Sequence, residues 1–140
     1  MVDMRIEVVI VPVADVARAK AFYEQAGFVC DTDHEPNEAF RIVQLTPPGS
    51  PCSIIVGKGI PQAEPGSLHG TYLVVEDLPA AISELAERGI DVSEPFHFGA
   101  EGQIPGLDPD RAPYGSFATL SDPDGNTWLV QEIPAGAHLR

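Results

Sequence analysis

The sequence predicts an α+β fold made of two copies of a βαβββ unit. Three observations support this fold class: an internal repeat, the same helix-boundary residues in both copies, and strand-like runs with turn signals after each predicted helix. When the chain is displaced by 62 residues, the segment VIVPVADVARAKAFYEQAGF (9–28) lies over TYLVVEDLPAAISELAERGI (71–90). Both segments contain an apolar run, an Asp, an amphipathic stretch, a Gly and a hydrophobic residue, in that order.

Each predicted unit begins with a strand followed by a helix. Asp15 and Asp77 are candidate N-caps, because a carboxylate there accepts from unpaired amides at the positive end of the helix dipole. Gly27 and Gly89 stand where a left-handed residue ends a helix. Between them, one apolar helical face is formed in the first copy by Val16, Ala19, Phe22, Tyr23 and Ala26, and in the second by Leu78, Ala81, Ile82, Leu85 and Ala86.

Turn-forming residues bound the predicted strands that follow each helix. Those of the first copy are 28–31, 39–45 and 52–56, and those of the second are 90–93, 116–120 and 127–133. The turn TPPGSP separates the last two strands of the first copy, and SDPDGN separates the last two of the second. Pro, Gly, Asp and Asn at this density are typical of β-turns.

One domain is predicted over residues 1–140, with a first module at 5–58, a linker at 59–69 and a second module at 70–134. The second module contains a long loop, 94–115, with four Pro, four Gly and no periodicity. Structureless loops of this length inside a domain are often lids or binding loops. A surface excursion or a dimer arm is the alternative.

Composition excludes several kinds of partner. The chain has 21 acidic and 8 basic residues, a formal net charge of -13 and a pI near 4.4. This imbalance argues against nucleic acid and anionic membranes as partners. Two cysteines cannot make a disulfide framework, and neither a signal peptide nor a membrane span is evident. We therefore expect a soluble, cytoplasmic protein.

The motifs VPVADVARAKAFYEQAGF in the first copy and SDPDGNTWLVQE near the end resemble the vicinal oxygen chelate superfamily, the glyoxalase, bleomycin resistance protein and dioxygenase family. The resemblance covers about residues 6–134. It implies that the two repeats curl into mixed sheets around a ligand cavity. It also implies a homodimer, because family members often complete the cavity by pairing.

Metal-dependent members of that superfamily carry four ligands, generally His and Glu, on the concave sheet faces. The resemblance places these positions on Val8, Gly70, Leu129 and, less directly, Ser53. The first three cannot coordinate a metal through a side chain, and one hydroxyl is a poor sole ligand. A displaced site would use the neighbouring Glu7 or His69, but strand alternation predicts that both face away from the cavity. We therefore predict no metal and no cofactor.

The predicted ligand-binding residues form an apolar concave face with few polar groups. They are Val8, Ile10, Ser53, Ile55, Tyr72, Leu129 and Gln131, with His97 contributed by the long loop. Tyr72, His97 and Glu101 are the candidate catalytic residues, Tyr72 as a weak proton donor and His97 as a general base. The alternatives are an ordinary strand aromatic for Tyr72 and a solvated or structural loop residue for His97. His34, in a polar turn, and His138, in the tail, are predicted to be inert.

Two classes of function follow. The first is a metal-free protein that binds a small organic molecule, resembling bleomycin resistance proteins, which sequester cationic drugs without chemical change. The second is an enzyme, either a metal-independent lyase or isomerase that uses Tyr72, His97 or Glu101, or a glyoxalase-like or dioxygenase-like enzyme with a displaced metal site. A small organic ligand is the partner that both classes imply, and the resemblance adds a homodimer.

Overall fold

The computed structural model of the protein describes residues 1–137, so His138 lies outside the described residues. Its first five elements are β1 (Val8–Ile10), α1 (Val16–Gln25), β2 (Val29–Asn37), β3 (Phe40–Thr46) and β4 (Ser53–Lys58). The next six are β5 (His69–Val75), α2 (Leu78–Glu87), β6 (Phe96–Gly99), β7 (Gly102–Pro105), β8 (Phe117–Ser121) and β9 (Thr127–Glu132). The predicted α+β class is confirmed.

The chain folds into two compact units with one sheet each. The first unit holds residues 1–68 and the turn 122–126, and the second holds 69–121 and the chain from Thr127 onward. The first sheet has the order β1-β4-β3-β2, and the second has the order β5-β9-β8-β6-β7. In both sheets the opening strand runs parallel to the closing strand, which is antiparallel to its other neighbour. The repeat is therefore present in three dimensions, with β7 added at one edge.

Both helices begin and end where the capping residues predict. The carboxylate of Asp15 accepts from the backbone N–H of Arg18 at 3.0 Å, and that of Asp77 accepts from Ala80 at 3.0 Å. Gly27 and Gly89 follow the helices with φ of 108° and 81°, a left-handed conformation that favours glycine. Each helix is ten residues long, and no helix in the described range is long and apolar enough to cross a membrane.

Each helix packs on one face of its own sheet. In the first unit α1 packs on β3 and β4, where alternate residues such as Val43, Leu45 and Val56 are fully buried. In the second unit α2 packs on β8 and β9, where Leu120 and Val130 are buried. Because successive strand residues point to opposite faces, the intervening residues lie on the face away from the helix. That face is the one on which the predicted ligand-binding residues fall, with the exception of His97.

The predicted DPDGN turn is confirmed, and it belongs to the first unit although its sequence lies in the second copy. The Asp122 carboxylate accepts from the backbone N–H groups of Asp124 and Asn126, which closes the turn. It also accepts from the Tyr23 hydroxyl at 2.8 Å. The Asn126 side-chain amide donates to the Pro12 carbonyl at 2.8 Å. These bonds hold the turn against the first sheet and α1.

The long loop of the second copy differs from its prediction. The strand expected at 90–93 is reduced to an isolated bridge between Val92 and Leu120. The outer strand beside β8 is instead β6, which forms an antiparallel hairpin with β7 inside the supposedly structureless 94–115. Strands of four residues are too short to show a clear period of two, and the Pro and Gly around them favoured a loop.

β2 is longer than the predicted 28–31 and reaches Asn37. It is the edge strand of the first sheet, and every residue from Asp31 onward is exposed. The sequence of an edge strand that is polar on both faces does not alternate between apolar and polar residues. The residues after 31 were therefore predicted to form a turn. His34 accordingly lies in a strand, where its ring contacts Phe40, and not in a turn.

Candidate functional site

Each sheet has one face that its helix leaves uncovered, which we call the first open face and the second open face. On the first open face, Val8 pairs with Ser53 and Ile10 pairs with Ile55 in parallel register. These four predicted residues therefore lie side by side on one surface. Ile10 is 39% exposed, while Ser53 is buried.

A row of polar groups crosses the first open face. The Ser53 hydroxyl lies 2.6 Å from the Thr46 hydroxyl, which in turn hydrogen-bonds to the carboxylate of Asp31. The prediction included Ser53 but missed the other two. Asp31 reaches this face because a register shift between Cys30 and Thr32 leaves it without a partner on β3. A bulge of this kind depends on pairing with another strand and has no signature in the sequence of β2 alone.

The second open face is an exposed apolar surface. Tyr72 pairs with Leu129, and Val74 pairs with Gln131, so these four side chains share the face. Tyr72 is 51% exposed and Val74 is 50% exposed. Contiguous exposed apolar surface on a soluble domain commonly marks a site for a ligand or a partner.

Three phenylalanines extend the second open face toward the β6–β7 hairpin. Phe96 pairs with Phe117 across β6 and β8, and their rings stack with centroids 5.8 Å apart. Phe98 packs edge-to-face on Phe117 at 5.3 Å and is itself 58% exposed. Phe96 and Phe117 thus form a buried base, and Phe98 presents an aromatic surface to anything that lies on this face.

A cleft of about 580 Å³ lies beside these rings, within the range of volumes that hold drug-sized ligands. Its lining residues are Ser93, Glu94, Pro95, Phe96, Gln103, Pro105 and Thr119. The cleft forms because the chain leaves the sheet after Ser93. The Ser93 hydroxyl accepts from the Thr119 backbone N–H at 2.8 Å and donates to the Glu94 carbonyl at 2.9 Å. The exposed Glu94 carboxylate places a negative charge at the wall.

The structure does not bring the three candidate catalytic residues together. His97 alternates with Phe96 and Phe98, so its side chain lies on the opposite face of β6, where Nδ1 is 2.7 Å from the Gly106 carbonyl oxygen. Glu101 is exposed in the turn between β6 and β7. Tyr72 is the one member of the set that lies on the second open face. His97 was expected there only because its strand was read as a loop.

The rest of the long loop is fastened to β9. Arg111 donates from Nε to the Glu132 carboxylate at 2.7 Å and from Nη2 to its other oxygen, and the Leu78 backbone N–H also donates to Glu132 at 2.8 Å. These bonds, the guanidinium first, hold the pKa of Glu132 below its usual value. Gln131 donates from Nε2 to the Tyr114 carbonyl at 3.1 Å, so its second amide hydrogen and its oxygen remain to meet a ligand.

His69 lies on the second open face, which corrects the expectation that it faces away. His69 is aligned with Thr127, but Thr71 is aligned with Trp128, so β5 carries one extra residue at Gly70. Because of this bulge, His69 points to the sheet face opposite the one that simple alternation from Thr71 predicts. The His69 Nδ1 atom lies 2.9 Å from the Thr127 hydroxyl, which confirms that the two side chains share one face.

The residues at the superfamily's metal positions do not fit a divalent ion. Val8, Gly70 and Leu129 offer no donor atom, and Ser53 offers a single hydroxyl. Within residues 1–137 no group of three or more His, Cys, Asp or Glu side chains is placed to hold a metal. His69 has a threonine hydroxyl as its neighbour and not a second ligand.

The sequence model of the Glyoxalase/Bleomycin resistance protein/Dioxygenase superfamily matches residues 5–130. No curated protein sequence is significantly similar to the chain.

Solved structures are similar over nearly the whole chain. TnmS3, described as an antibiotic binding protein from Streptomyces sp. CB03234, is 32% identical with a TM-score of 0.71, over 95% of this chain and 98% of its own. A glyoxalase/bleomycin resistance protein from the same organism is 32% identical with a TM-score of 0.67, over 91% of this chain and 100% of its own. A superfamily member from Sphaerobacter thermophilus DSM 20745 is 25% identical with a TM-score of 0.66, over 93% and 98% respectively.

Proposed function

The chain belongs to the Glyoxalase/Bleomycin resistance protein/Dioxygenase superfamily, and from this premise we propose that it binds a small organic molecule and releases it chemically unchanged. Membership does not define the activity, because one fold supports many reactions. The observation that carries the proposal is the second open face, where Tyr72, Val74 and Phe98 are each at least half exposed and where Phe96 and Thr119 line the cleft. Apolar pockets with a few polar groups hold ligands by burial and orient them by hydrogen bonds.

The proposed ligand has an aromatic or aliphatic body that lies against exposed apolar side chains of the second open face, such as Tyr72 or Phe98. Burying an apolar surface of this kind contributes roughly 25 cal/mol for each Å² removed from water, before the entropic cost of association is subtracted. The likeness to TnmS3, described as an antibiotic binding protein, supports a natural-product or drug-like ligand. The protein is metal-free in this proposal, because the donor atoms at the superfamily's metal positions are missing.

A cationic group on the ligand is the finer part of the proposal, in the manner of bleomycin resistance proteins. Residues 67–140 contain 12 acidic and 3 basic side chains, and Glu94 belongs to the wall of the cleft. The summed negative potential raises the local concentration of cations and speeds their association. We expect the protein to act as a cytoplasmic homodimer, and light scattering of the purified protein measures that mass.

Isothermal titration tests the proposal with bleomycin, a cationic glycopeptide, doxorubicin, a cationic aromatic drug, and 2-naphthol, a neutral aromatic. We expect at least one to bind and to be recovered unchanged by chromatography. Phe98→Ala should weaken binding of the larger compounds, bleomycin or doxorubicin, about tenfold or more, as expected for a truncated aromatic anchor. Ile104→Ala is the matched control, because Ile104 is 41% exposed in the same hairpin but pairs with His97 on the opposite face.

Three outcomes contradict the proposal in different ways. Absence of binding by every compound rejects sequestration of this class of ligand. Equal losses in Phe98→Ala and Ile104→Ala reject the second open face as the site. Conversion of a bound compound into a product rejects unchanged release and favours an enzyme.

A further inference from the structure

The bulge at Gly70 places a polar pair on an otherwise apolar surface. Without the extra residue, strand alternation would direct His69 toward the helix side of the sheet. With it, His69 lies opposite Thr127, and its Nδ1 atom is held 2.9 Å from the threonine hydroxyl. Bulges of this kind are frequent next to functional sites, where they redirect a side chain.

Gly70 leaves open space beside His69. A Cβ atom added at Gly70 would meet no atom within 4 Å, and its φ lies outside the left-handed region. Neither close packing nor backbone strain therefore requires glycine here. What the missing side chain leaves is open space at this position of the strand, next to His69 in the chain.

Tyr72 is the next residue along β5 on this face. It is 51% exposed, and within residues 1–137 its hydroxyl makes no hydrogen bond. The Nδ1 atom of His69 is engaged by Thr127, which fixes the ring and leaves Nε2 with one hydrogen bond to offer in either tautomer. Leu129, paired with Tyr72 on the neighbouring strand, supplies apolar surface beside these two groups.

We propose that His69, oriented by Thr127, and Tyr72 form a polar subsite over Gly70 that binds a hydroxyl or carbonyl oxygen of an aromatic ligand. The inference rests on the proposed function and deepens it, because it names the ligand group that this face recognises. His69 and Tyr72 contact the ligand, and Thr127 is a positioning residue. The ligand body extends from the subsite over Leu129.

The test compares 2-naphthol with naphthalene, two probes that differ by one hydroxyl. We expect the wild-type protein to bind 2-naphthol about three- to tenfold more tightly than naphthalene, the advantage of one well-placed hydrogen bond. His69→Ala and Tyr72→Phe should each reduce that preference. Thr127→Val should reduce it partly, because the imidazole stays but loses its orientation. His69 is exposed, so these changes should leave the fold intact.

Gly70 variants give a steric test of the same subsite. Gly70→Ala should weaken binding of 2-naphthol slightly, and Gly70→Leu should abolish it while the melting temperature stays unchanged, since the added side chain meets open space. Nuclear magnetic resonance of ¹⁵N-labelled histidine supplies an independent readout. The His69 Nε2 resonance should shift on addition of 2-naphthol and shift less with naphthalene.

The outcomes separate this inference from the proposed function. If 2-naphthol binds, and keeps its preference over naphthalene in His69→Ala, the subsite is wrong while ligand binding on the second open face stands. If binding survives in Gly70→Leu, the open space is not part of the site. If neither probe nor any cationic drug binds to the wild-type protein, the proposed function fails together with the subsite.

Discussion

Arg111 donates two hydrogen bonds to the buried carboxylate of Glu132, and the one from Nε is 2.7 Å long. Glu132 is fully buried at the end of β9 and also accepts from the first backbone N–H of α2, at Leu78. One carboxylate therefore joins the long loop, the last strand and the start of a helix. Arg111 adopts a φ of +49°, a conformation uncommon for a residue with a side chain, so this contact holds the backbone in an unfavourable region.

Arg111→Ala should lower the free energy of unfolding at neutral pH, because it leaves a buried carboxylate with the Leu78 amide alone. The loss is below that of a fully buried pair, since the guanidinium is 43% exposed. Urea denaturation of both proteins measures it. Arg111→Lys is the matched control and should retain part of the stability, because an ammonium keeps the charge but not the two-bond geometry.

Lowering the pH should reduce the difference in the free energy of unfolding between the wild-type protein and Arg111→Ala. The pKa of Glu132 is lower in the folded protein than in the unfolded chain, chiefly through the guanidinium. A lowered pKa contributes stability that is fully present above the unfolded value of about 4.3 and is lost as the pH falls through the folded value. Urea denaturation repeated from neutral pH down through this range checks the sign. A difference that grows in acid would contradict it.

Tyr23→Phe should destabilise the protein by about 1 to 2 kcal/mol. The Tyr23 hydroxyl donates at 2.8 Å to the Asp122 carboxylate, and both residues are buried. Removing the donor leaves a buried charge with one bond fewer. Tyr72→Phe is the control for stability, because that hydroxyl is exposed and its removal should change the melting temperature little. Equal shifts in the two variants would show that the Asp122 bond is not what stabilises the turn.

The helices were predictable because capping is local chemistry. Asp15 and Asp77 bond to amides three residues ahead, so the sequence around each carries the whole signal. The turn closed by Asp122 is equally local, since its carboxylate bonds to amides two and four residues ahead. Its assignment to the first unit was not predictable, because the Tyr23 bond that anchors it spans 99 residues.

The site was harder to predict because its key features depend on pairing. The sheet face on which His69 lies depends on a bulge in the pairing of β5 with β9, and its partner Thr127 is 58 residues away. The sequence around His69 contains no signal for this bulge. The β6–β7 hairpin is defined by pairs such as Phe96 with Pro105, and it joins β8 through the pair of Phe96 with Phe117, so no periodic run marks it in the sequence. Residues on long, regular strands, such as Ile55 and Leu129, were assigned to the correct sheet face because alternation alone decides it.

The purified protein should contain no stoichiometric divalent ion. The donor set at Val8, Gly70, Leu129 and Ser53 lacks imidazole and carboxylate groups, so none of these positions can supply more than a hydroxyl. Mass spectrometry under native conditions measures bound metal, and added zinc or manganese should leave the melting temperature unchanged. One equivalent of tightly bound metal would contradict the prediction and favour a displaced site.

His97→Ala should leave ligand affinity unchanged and lower the free energy of unfolding by about 1 kcal/mol. The imidazole lies on the face of β6 opposite Phe98, and its Nδ1 atom is 2.7 Å from the Gly106 carbonyl oxygen. Its role is therefore to hold the chain after β7 in place. The expected loss in the free energy of unfolding equals the net contribution of about one hydrogen bond. Titration and urea denaturation of the same preparation check both parts. A large loss of affinity at unchanged stability would place His97 in the binding site.

Glu94→Gln should weaken binding of a cationic ligand two- to fivefold and leave a neutral one unaffected. Glu94 lines the cleft with an exposed carboxylate, and a charge pair a few Å apart near a protein surface is worth on the order of 1 kcal/mol. Doxorubicin and 2-naphthol are the cationic and neutral probes. Raising the ionic strength should reduce the effect, because exposed charges are screened over about 10 Å at 0.1 M salt. Equal losses for both probes would mean that Glu94 acts through the shape of the cleft and not through its charge.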